Sequence, residues 1–154
     1  MIRAWRLVKS RYAAAAFDGE GARLNGGRWN SPGTLVAYAC DSVALATLEV
    51  LAHLQSTAVL ASYSLASVQF PIDLLEQVEV SALPARWRRY PASPELQAIG
   101  DRWVKDLRSA ALRVPSAIIP SAHNYLLNPV HADFARVKID PPQPFDIDPR
   151  LLKT

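Results

Sequence analysis

The sequence lacks the features that build several common classes of protein. Its 154 residues include a single cysteine, Cys40, so an internal disulfide cannot form and a cysteine-rich zinc site is excluded. No stretch approaches the roughly twenty consecutive apolar residues that span a bilayer. The first residues also lack the apolar run of a secretory signal. These absences predict a protein of the reducing cytosol, a cytoplasmic protein with no membrane association.

The excess of basic over acidic residues is small. The net charge of +3 is too small by itself to indicate binding to nucleic acid, which is usually contacted by a dense basic surface. The excess is nevertheless local, because seven basic and three acidic residues lie between Arg86 and Arg113. We interpret this segment first as a solvated helix face and second as a surface for an acidic partner.

The composition that remains, 50% hydrophobic and 20% charged, fits one compact domain over residues 1–154. Alternating apolar residues and β-branched or aromatic side chains predict strands at 4–8, 34–39, 59–70, 113–120, 134–139 and 145–147. The segment 72–80 is compatible with a short helix or a strand. Glycine, proline and asparagine predict loops at 13–33 and 124–129.

Two helices complete the predicted secondary structure. Asp41 or Ser42 can cap a helix that runs to about Leu54, and Ser93 can cap a second that begins with Pro94. Together with the strands they predict an α+β fold, in which a twisted, mainly antiparallel sheet is flanked by a few helices.

The first of these helices carries an isolated charge. Eight of its residues are alanine, valine or leucine, which predicts burial on most sides, and Glu49 is its only acid. A lone carboxylate in such a helix must either reach solvent or lie in a site that stabilises its charge. His53 lies one turn later on the same face.

The loop from Gly26 to Gly33 holds Arg28 and Trp29 between glycines and a proline. Paired glycines allow the backbone and the guanidinium of Arg28 to approach one anionic group closely. The alternative is an ordinary turn with a solvated arginine, while Trp29 either lines a site or anchors the loop in the core.

Five separated motifs follow one another along the chain. They are Gly-Gly-Arg-Trp-Asn at 26–30, Tyr38-Ala39, the helix bearing Glu49 and His53, Val-Pro-Ser at 114–116, and Asn-Tyr-Leu-Leu-Asn-Pro-x-His at 124–131. In order and spacing they resemble the RES-domain toxins of bacterial toxin–antitoxin pairs, and the resemblance covers nearly the whole chain. That family is named for Arg, Glu and Ser, which correspond here to Arg28, Glu49 and Ser116.

The resemblance implies a single RES domain with a fold similar to the ADP-ribosyltransferase toxins. It implies an enzyme that degrades intracellular NAD by cleaving the nicotinamide–ribose bond and passes ADP-ribose to water or phosphate, arresting growth. It also implies a cognate helix-turn-helix antitoxin that blocks the site. Nucleic acid would then be contacted through the antitoxin rather than directly.

Residue types at the motif positions suit NAD. Arg28 can grip pyrophosphate oxygens, and Arg6 is a second candidate for the same group. Tyr38 can pack against nicotinamide or hydrogen-bond a ribose. Glu49 can stabilise the oxocarbenium-like ribose that forms when nicotinamide leaves.

The remaining candidates are polar neighbours. Ser116 can donate to the nicotinamide ribose or orient Glu49, and it has no paired base that would make it a covalent nucleophile. Asn124 can hydrogen-bond substrate or fix a turn. His53, His123 and His131 lack metal-ligand spacing, so no metal is expected.

Two other functions fit parts of the sequence. The same NAD site could serve an ADP-ribosyltransferase that modifies a host protein, and a non-catalytic binding module could instead use the basic segment from Arg86 to Arg113. Retained toxicity of Glu49→Ala would favour the binding module, whereas loss of toxicity would favour an enzyme.

Overall fold

The computed structural model describes residues 1–54 and 61–152. Within these residues the chain forms one eight-stranded sheet and three α-helices. The strands are β1 Ile2–Lys9, β2 Ala37–Cys40, β3 Tyr63–Phe70, β4 Leu75–Gln77, β5 Ala111–Pro115, β6 His123–Leu127, β7 Lys138–Ile139 and β8 Gln143–Phe145. The helices are α1 Glu20–Asn25, α2 Val43–His53 and α3 Pro94–Lys105.

The sheet is almost entirely antiparallel. Its strands follow the order β4-β5-β6-β2-β1-β3-β7, and β8 pairs with β3 beside this path. Only the β4–β5 pair is parallel among the described strands, and its connection contains α3. The predicted α+β fold with a mainly antiparallel sheet is therefore confirmed.

Both faces of the sheet are covered. Along β2 the alternation of a strand sends Ala37 and Ala39 into one buried cluster and Tyr38 toward another. The second cluster is formed with α3, which contributes Leu96 and Trp103. A third cluster joins β1 to α2.

The two long helices begin where the capping residues predict. The Ser42 hydroxyl accepts a hydrogen bond from the Leu45 amide at 3.0 Å, and the Ser93 hydroxyl accepts one from the Leu96 amide at 3.2 Å. Each cap satisfies an amide that has no partner within its helix.

The prediction that α2 is buried on most sides is wrong. Only Leu45 and Ala46 are buried within Val43–His53, whereas Ala44, Leu48 and Ala52 are exposed. The helix lies with one side on the sheet, and no described element covers the opposite side. When apolar residues occur on every side of a helix, the sequence pattern does not indicate which side packs against another element.

Several loop and strand predictions also need correction. The predicted loop 13–33 contains α1, and the predicted loop 124–129 is largely the central strand β6. The predicted strand 113–120 instead begins earlier and ends at Pro115. The turn-forming Asn128-Pro129 pair favoured a loop, although the four residues before it alternate within a sheet.

The two terminal strand predictions are displaced. Residues 132–136 form a 3-10 helix, so the strand predicted at 134–139 is reduced to β7. The strand predicted at 145–147 shares only Phe145 with β8. The ambiguous segment 72–80 contains two 3-10 turns flanking β4. Part of the strand predicted at 59–70 lies outside the described residues.

Candidate active site

The Gly26–Gly33 loop is fixed from within by Asn30. This side chain is fully buried, and its amide nitrogen lies 2.9 Å from the carbonyl oxygen of Ala22 and 3.3 Å from that of Thr34. Trp29 is also buried and packs in the cluster formed with α3, so it anchors the loop in the core. The loop is therefore a rigid support for the exposed part of Arg28.

Tyr38 joins this loop to the sheet. Its hydroxyl donates to Oδ1 of Asn30 at 2.6 Å and accepts from the amide of Trp29 at 3.1 Å. Burial raises the pKa of Tyr38, so the phenol remains a neutral donor. A Cβ on Gly27 would stand 2.7 Å from the same hydroxyl, which explains the need for glycine there.

Arg28 reaches from the loop to the 84–91 segment. Its Nη1 donates to the carbonyl oxygens of Trp87 and Arg89, each at 2.9 Å. Burial lowers the pKa of Arg28, and attraction from the negative charge of Glu49 opposes that shift. Arg28 and Glu49 thus lie close enough to interact electrostatically.

Glu49 lies on α2, and one oxygen of its carboxylate accepts hydrogen bonds from two uncharged side chains. Oε1 accepts from the Asn124 side-chain amide at 3.0 Å and from the Ser116 hydroxyl at 3.4 Å. The fold brings these three residues together because Asn124 lies on β6 and pairs with Val114, two residues before Ser116. The carboxylate is thereby oriented from two sides.

The Ser116 hydroxyl has no freedom to turn elsewhere. Ser116 is fully buried, and its Oγ accepts from the amides of Ile118 and Ile119, each at 3.1 Å. Because both lone-pair directions of the hydroxyl are used, its single proton is directed to Glu49. The arrangement suits a residue that orients the carboxylate.

Asn124 retains an unused acceptor. Its Oδ1 is buried and has no hydrogen-bond partner among the described residues. Because its amide nitrogen is held by Glu49, this oxygen can accept from a hydroxyl or an amide of a bound molecule.

Arg6 is not hydrogen-bonded to this group. Its Nη1 donates to the carbonyl oxygen of Ala16, while burial lowers its pKa and the charge of Asp18 opposes the shift. Its neighbours on β1, Trp5 and Leu7, pack toward α2. Because successive side chains of a strand point to opposite faces, the Arg6 side chain leaves the sheet on the other face. Arg6 therefore makes no hydrogen bond to Glu49, Ser116 or Asn124, whereas Tyr38 interacts electrostatically with both Arg6 and Arg28.

The sequence motifs did not indicate the 84–91 segment. There Arg88 donates through Nε to the carbonyl oxygen of Ala117 at 2.9 Å, and the Tyr90 ring lies 5.9 Å from the ring of His53. The sequence indicated it only as the start of the basic stretch from Arg86 to Arg113. Contacts to backbone carbonyls leave no pattern in the sequence by which they could have been found.

Other groups near the site are chemically quiet. Burial, with the nearby charge of Glu49, raises the pKa of the Cys40 thiol to about 12. No group of three or more His, Cys, Asp or Glu side chains within residues 1–54 and 61–152 is arranged to hold a metal ion. None of the helices in the same part of the chain is long and apolar enough to cross a membrane.

Comparison with known proteins agrees with the motifs. A family model described as the RES domain matches residues 3–148. The chain is 37% identical over 154 residues to Toxin Res of Photorhabdus laumondii subsp. laumondii, which covers 97% of this chain and 96% of the relative. It is 35% identical over 154 residues to the Prs ADP-ribosylating toxin of Sphingobium sp., with the same coverage.

A solved structure shares the fold. The crystal structure of the M. tuberculosis MbcT–MbcA toxin–antitoxin complex contains a chain with a TM-score of 0.76 and 20% identity, covering 98% of this chain and 86% of that one. This likeness supports the described fold, while the family model and the relatives show which family the chain belongs to. The chain belongs to the RES-domain toxins, the family that its motifs resemble.

Proposed function

We propose that this protein is the toxin of a toxin–antitoxin pair and degrades NAD by cleaving its nicotinamide–ribose bond. The observation that carries the proposal is the placement of Glu49, which Ser116 and Asn124 orient on one oxygen while Arg28 lies nearby. A carboxylate held in this way is suited to stabilising positive charge that develops on a ribose.

In the proposed reaction the bond between the ribose anomeric carbon and the pyridinium nitrogen breaks. Nicotinamide leaves as a neutral molecule with the bonding electron pair, and the ribose acquires oxocarbenium character. Glu49 stabilises that cation through the 2′-hydroxyl. Water or phosphate then attacks the anomeric carbon, and a proton is released to solvent when water is the acceptor.

The other residues bind and orient NAD. Arg28 contacts the pyrophosphate with the part of its guanidinium that does not hold the 84–91 segment. Asn124 offers its unused Oδ1 to a substrate hydroxyl or amide. Tyr38 keeps the arginine loop, residues Gly26–Gly33, in place, and its ring can pack against nicotinamide. Arg6 is a second candidate for the pyrophosphate.

Release of nicotinamide tests this proposal. Purified protein, folded and free of antitoxin, is incubated with NAD in the presence and absence of phosphate, and nicotinamide and the ADP-ribose products are quantified. Glu49→Gln keeps the shape of the side chain and removes its charge, so we expect the rate to fall by about 100-fold or more. Absence of nicotinamide release from the wild type would contradict the proposal.

The roles of Arg28 and Glu49 can be separated by kinetics. Loss of a pyrophosphate contact weakens ground-state and transition-state binding together, so Arg28→Ala should raise KM for NAD by a larger factor than it lowers kcat. Loss of the Glu49 charge should chiefly lower kcat. The opposite pattern would mean that the two roles are exchanged.

Transfer of ADP-ribose to a host protein is the second candidate. It is favoured by the name of the Sphingobium relative, which describes an ADP-ribosylating toxin. The bond that breaks is the same, and only the acceptor differs. Incubation of labelled NAD with a host lysate separates the candidates, because label on a protein band indicates transfer and free labelled ADP-ribose indicates degradation.

A cognate antitoxin is the proposed partner. One solved structural neighbour is a toxin in complex with its antitoxin. We propose that a helix-turn-helix antitoxin binds this chain in the cytoplasm. Co-expression with a candidate antitoxin gene, followed by purification through a tag on this chain, would recover a stable complex.

A further inference from the structure

The 84–91 segment connects the arginine loop to the serine of the site. Arg28 holds the carbonyl oxygens of Trp87 and Arg89, the residues on either side of Arg88. The backbone at Arg88 is therefore fixed at both neighbours. Two short turns also stabilise it, because the amides of Trp87 and Arg89 donate to the carbonyl oxygens of Pro84 and Arg86.

From this fixed position Arg88 reaches the turn that follows β5. Its Nε lies 2.9 Å from the carbonyl oxygen of Ala117, and its Nη2 lies 3.5 Å from that of Ile118. These peptide groups belong to the turn whose amides, at Ile118 and Ile119, donate to the Ser116 hydroxyl. A shift of the turn would therefore redirect the Ser116 proton.

We propose that Arg88 is a positioning residue that holds the 116–119 turn so that Ser116 donates to Glu49. Resting on the proposed function, this assignment gives a physical path between the three residues for which the family is named. Arg28 fixes the 84–91 segment, Arg88 of that segment fixes the turn, and Ser116 of the turn orients Glu49. Arg88 itself acts on backbone carbonyls and does not need to touch the substrate.

The geometry favours arginine at this position. A planar guanidinium can donate to two neighbouring carbonyl oxygens at once, whereas a lysine ammonium on a flexible stem holds one of them less firmly. The exposure of Arg88 also means that its removal leaves no cavity in the core. Its loss should therefore change the site without unfolding the protein.

The test compares Arg88→Ala and Arg88→Lys with Arg86→Ala. Arg86 is exposed on the same segment, and its side chain makes no hydrogen bond or ion pair with the described residues. Amide hydrogen exchange at Ile118 and Ile119 is measured by NMR without substrate, and NAD consumption is measured as kcat and KM. A thermal melt verifies that each variant is folded.

We expect Arg88→Ala to speed exchange at both amides and to lower kcat by about tenfold with little change in KM, as expected for one lost charge-assisted positioning contact. Arg88→Lys should be intermediate in both measurements. Arg86→Ala should match the wild type. A merely structural role would lower the melting temperature without this selective change in exchange.

The two measurements separate this proposal from the proposed function. Unchanged exchange at Ile118 and Ile119 in Arg88→Ala would overturn the positioning role, whatever the protein does to NAD. Faster exchange with kcat within about twofold of an active wild type would overturn it as well, because the turn would then be irrelevant to chemistry. If the wild type consumes no NAD, the exchange result alone decides whether Arg88 holds the turn.

Discussion

Helices α2 and α3 have eleven and twelve residues, and each is capped by a serine hydroxyl. On α3 the buried residues Leu96, Gly100 and Trp103 share one side. Three of its charged residues, Glu95, Arg102 and Lys105, are exposed, and the fourth, Asp101, contacts the Gly26–Gly33 loop. On α2 apolar residues surround the helix, few are buried, and the single acid is directed to β5 and β6. The helix that looks more like core is the one that carries Glu49, the proposed catalytic carboxylate, and the amphipathic one supports the Gly26–Gly33 loop.

The largest expected effect is on the rate of NAD consumption, which should depend on Glu49 of α2 and not on Glu95 of α3. Glu49→Gln should lower the NAD-consuming rate by about 100-fold or more, because it removes a preorganised charge. The free energy of unfolding of the Glu49→Gln variant should differ from that of the wild type by less than about 1 kcal/mol, since Glu49 is only half-buried. Glu95→Gln on the exposed first turn of α3 is the matched control. Equal activity of both variants would remove the functional distinction between the helices.

The next effect concerns the support that α3 gives to the arginine loop. A Cβ on Gly100 would stand 1.8 Å from the carbonyl oxygen of Trp29, so Gly100→Ala cannot keep the loop against the helix. We expect a loss of about 3 kcal/mol or more in unfolding free energy, measured by urea denaturation. Gly21→Ala on α1 meets no atom within 4 Å and is the control. An unaltered midpoint for Gly100→Ala would contradict the described packing.

A smaller effect is expected at the polar contact between α3 and the same loop. Asp101 accepts from the amide of Ser31 at 2.9 Å and from its hydroxyl at 2.5 Å. Asp101→Ala leaves the amide without that partner, which should cost about 1–3 kcal/mol. Because the loop carries Arg28, KM for NAD should rise more than kcat falls. A normal KM in a destabilised variant would show that the loop keeps its position without Asp101.

The smallest effect compares the caps. Ser42→Ala and Ser93→Ala should each lower the unfolding free energy by about 1 kcal/mol, the usual value of a serine cap. Well below the melting temperature, Ser42→Ala should also lower kcat by about two- to threefold, because Glu49 lies on the helix that it caps. Ser93→Ala should leave kcat unchanged. Equal effects on kcat would place both helices in the same supporting role.

Local signals predicted the parts of the fold that depend on local chemistry. Ser93-Pro94 identified the start of α3, and alternation identified β1. The pairing of β6 between β5 and β2 depends on residues far away in the chain, and Asn128-Pro129 obscured it locally.

The site divides in the same way. Motif order predicted Arg28, Tyr38, Glu49 and Ser116 as site residues. The structure brings Glu49, Ser116 and Asn124 into direct contact. Asn124 was ambiguous because an asparagine in a loop and one in a strand have different partners. Arg88 was missed because its partners are main-chain carbonyls, which every residue possesses.

The position of β6 has a consequence for protein synthesis. Among the described strands, β5 and β2 are joined only through β6, since β6 pairs with both. During translation, β6 leaves the ribosome after Arg28, Glu49 and Ser116. The part of the sheet that contains β5 and the part that contains β2 therefore join only after all three residues have emerged. We therefore expect a nascent chain that stops short of Leu127 to lack an assembled site, so that catalytic competence arises only late in translation.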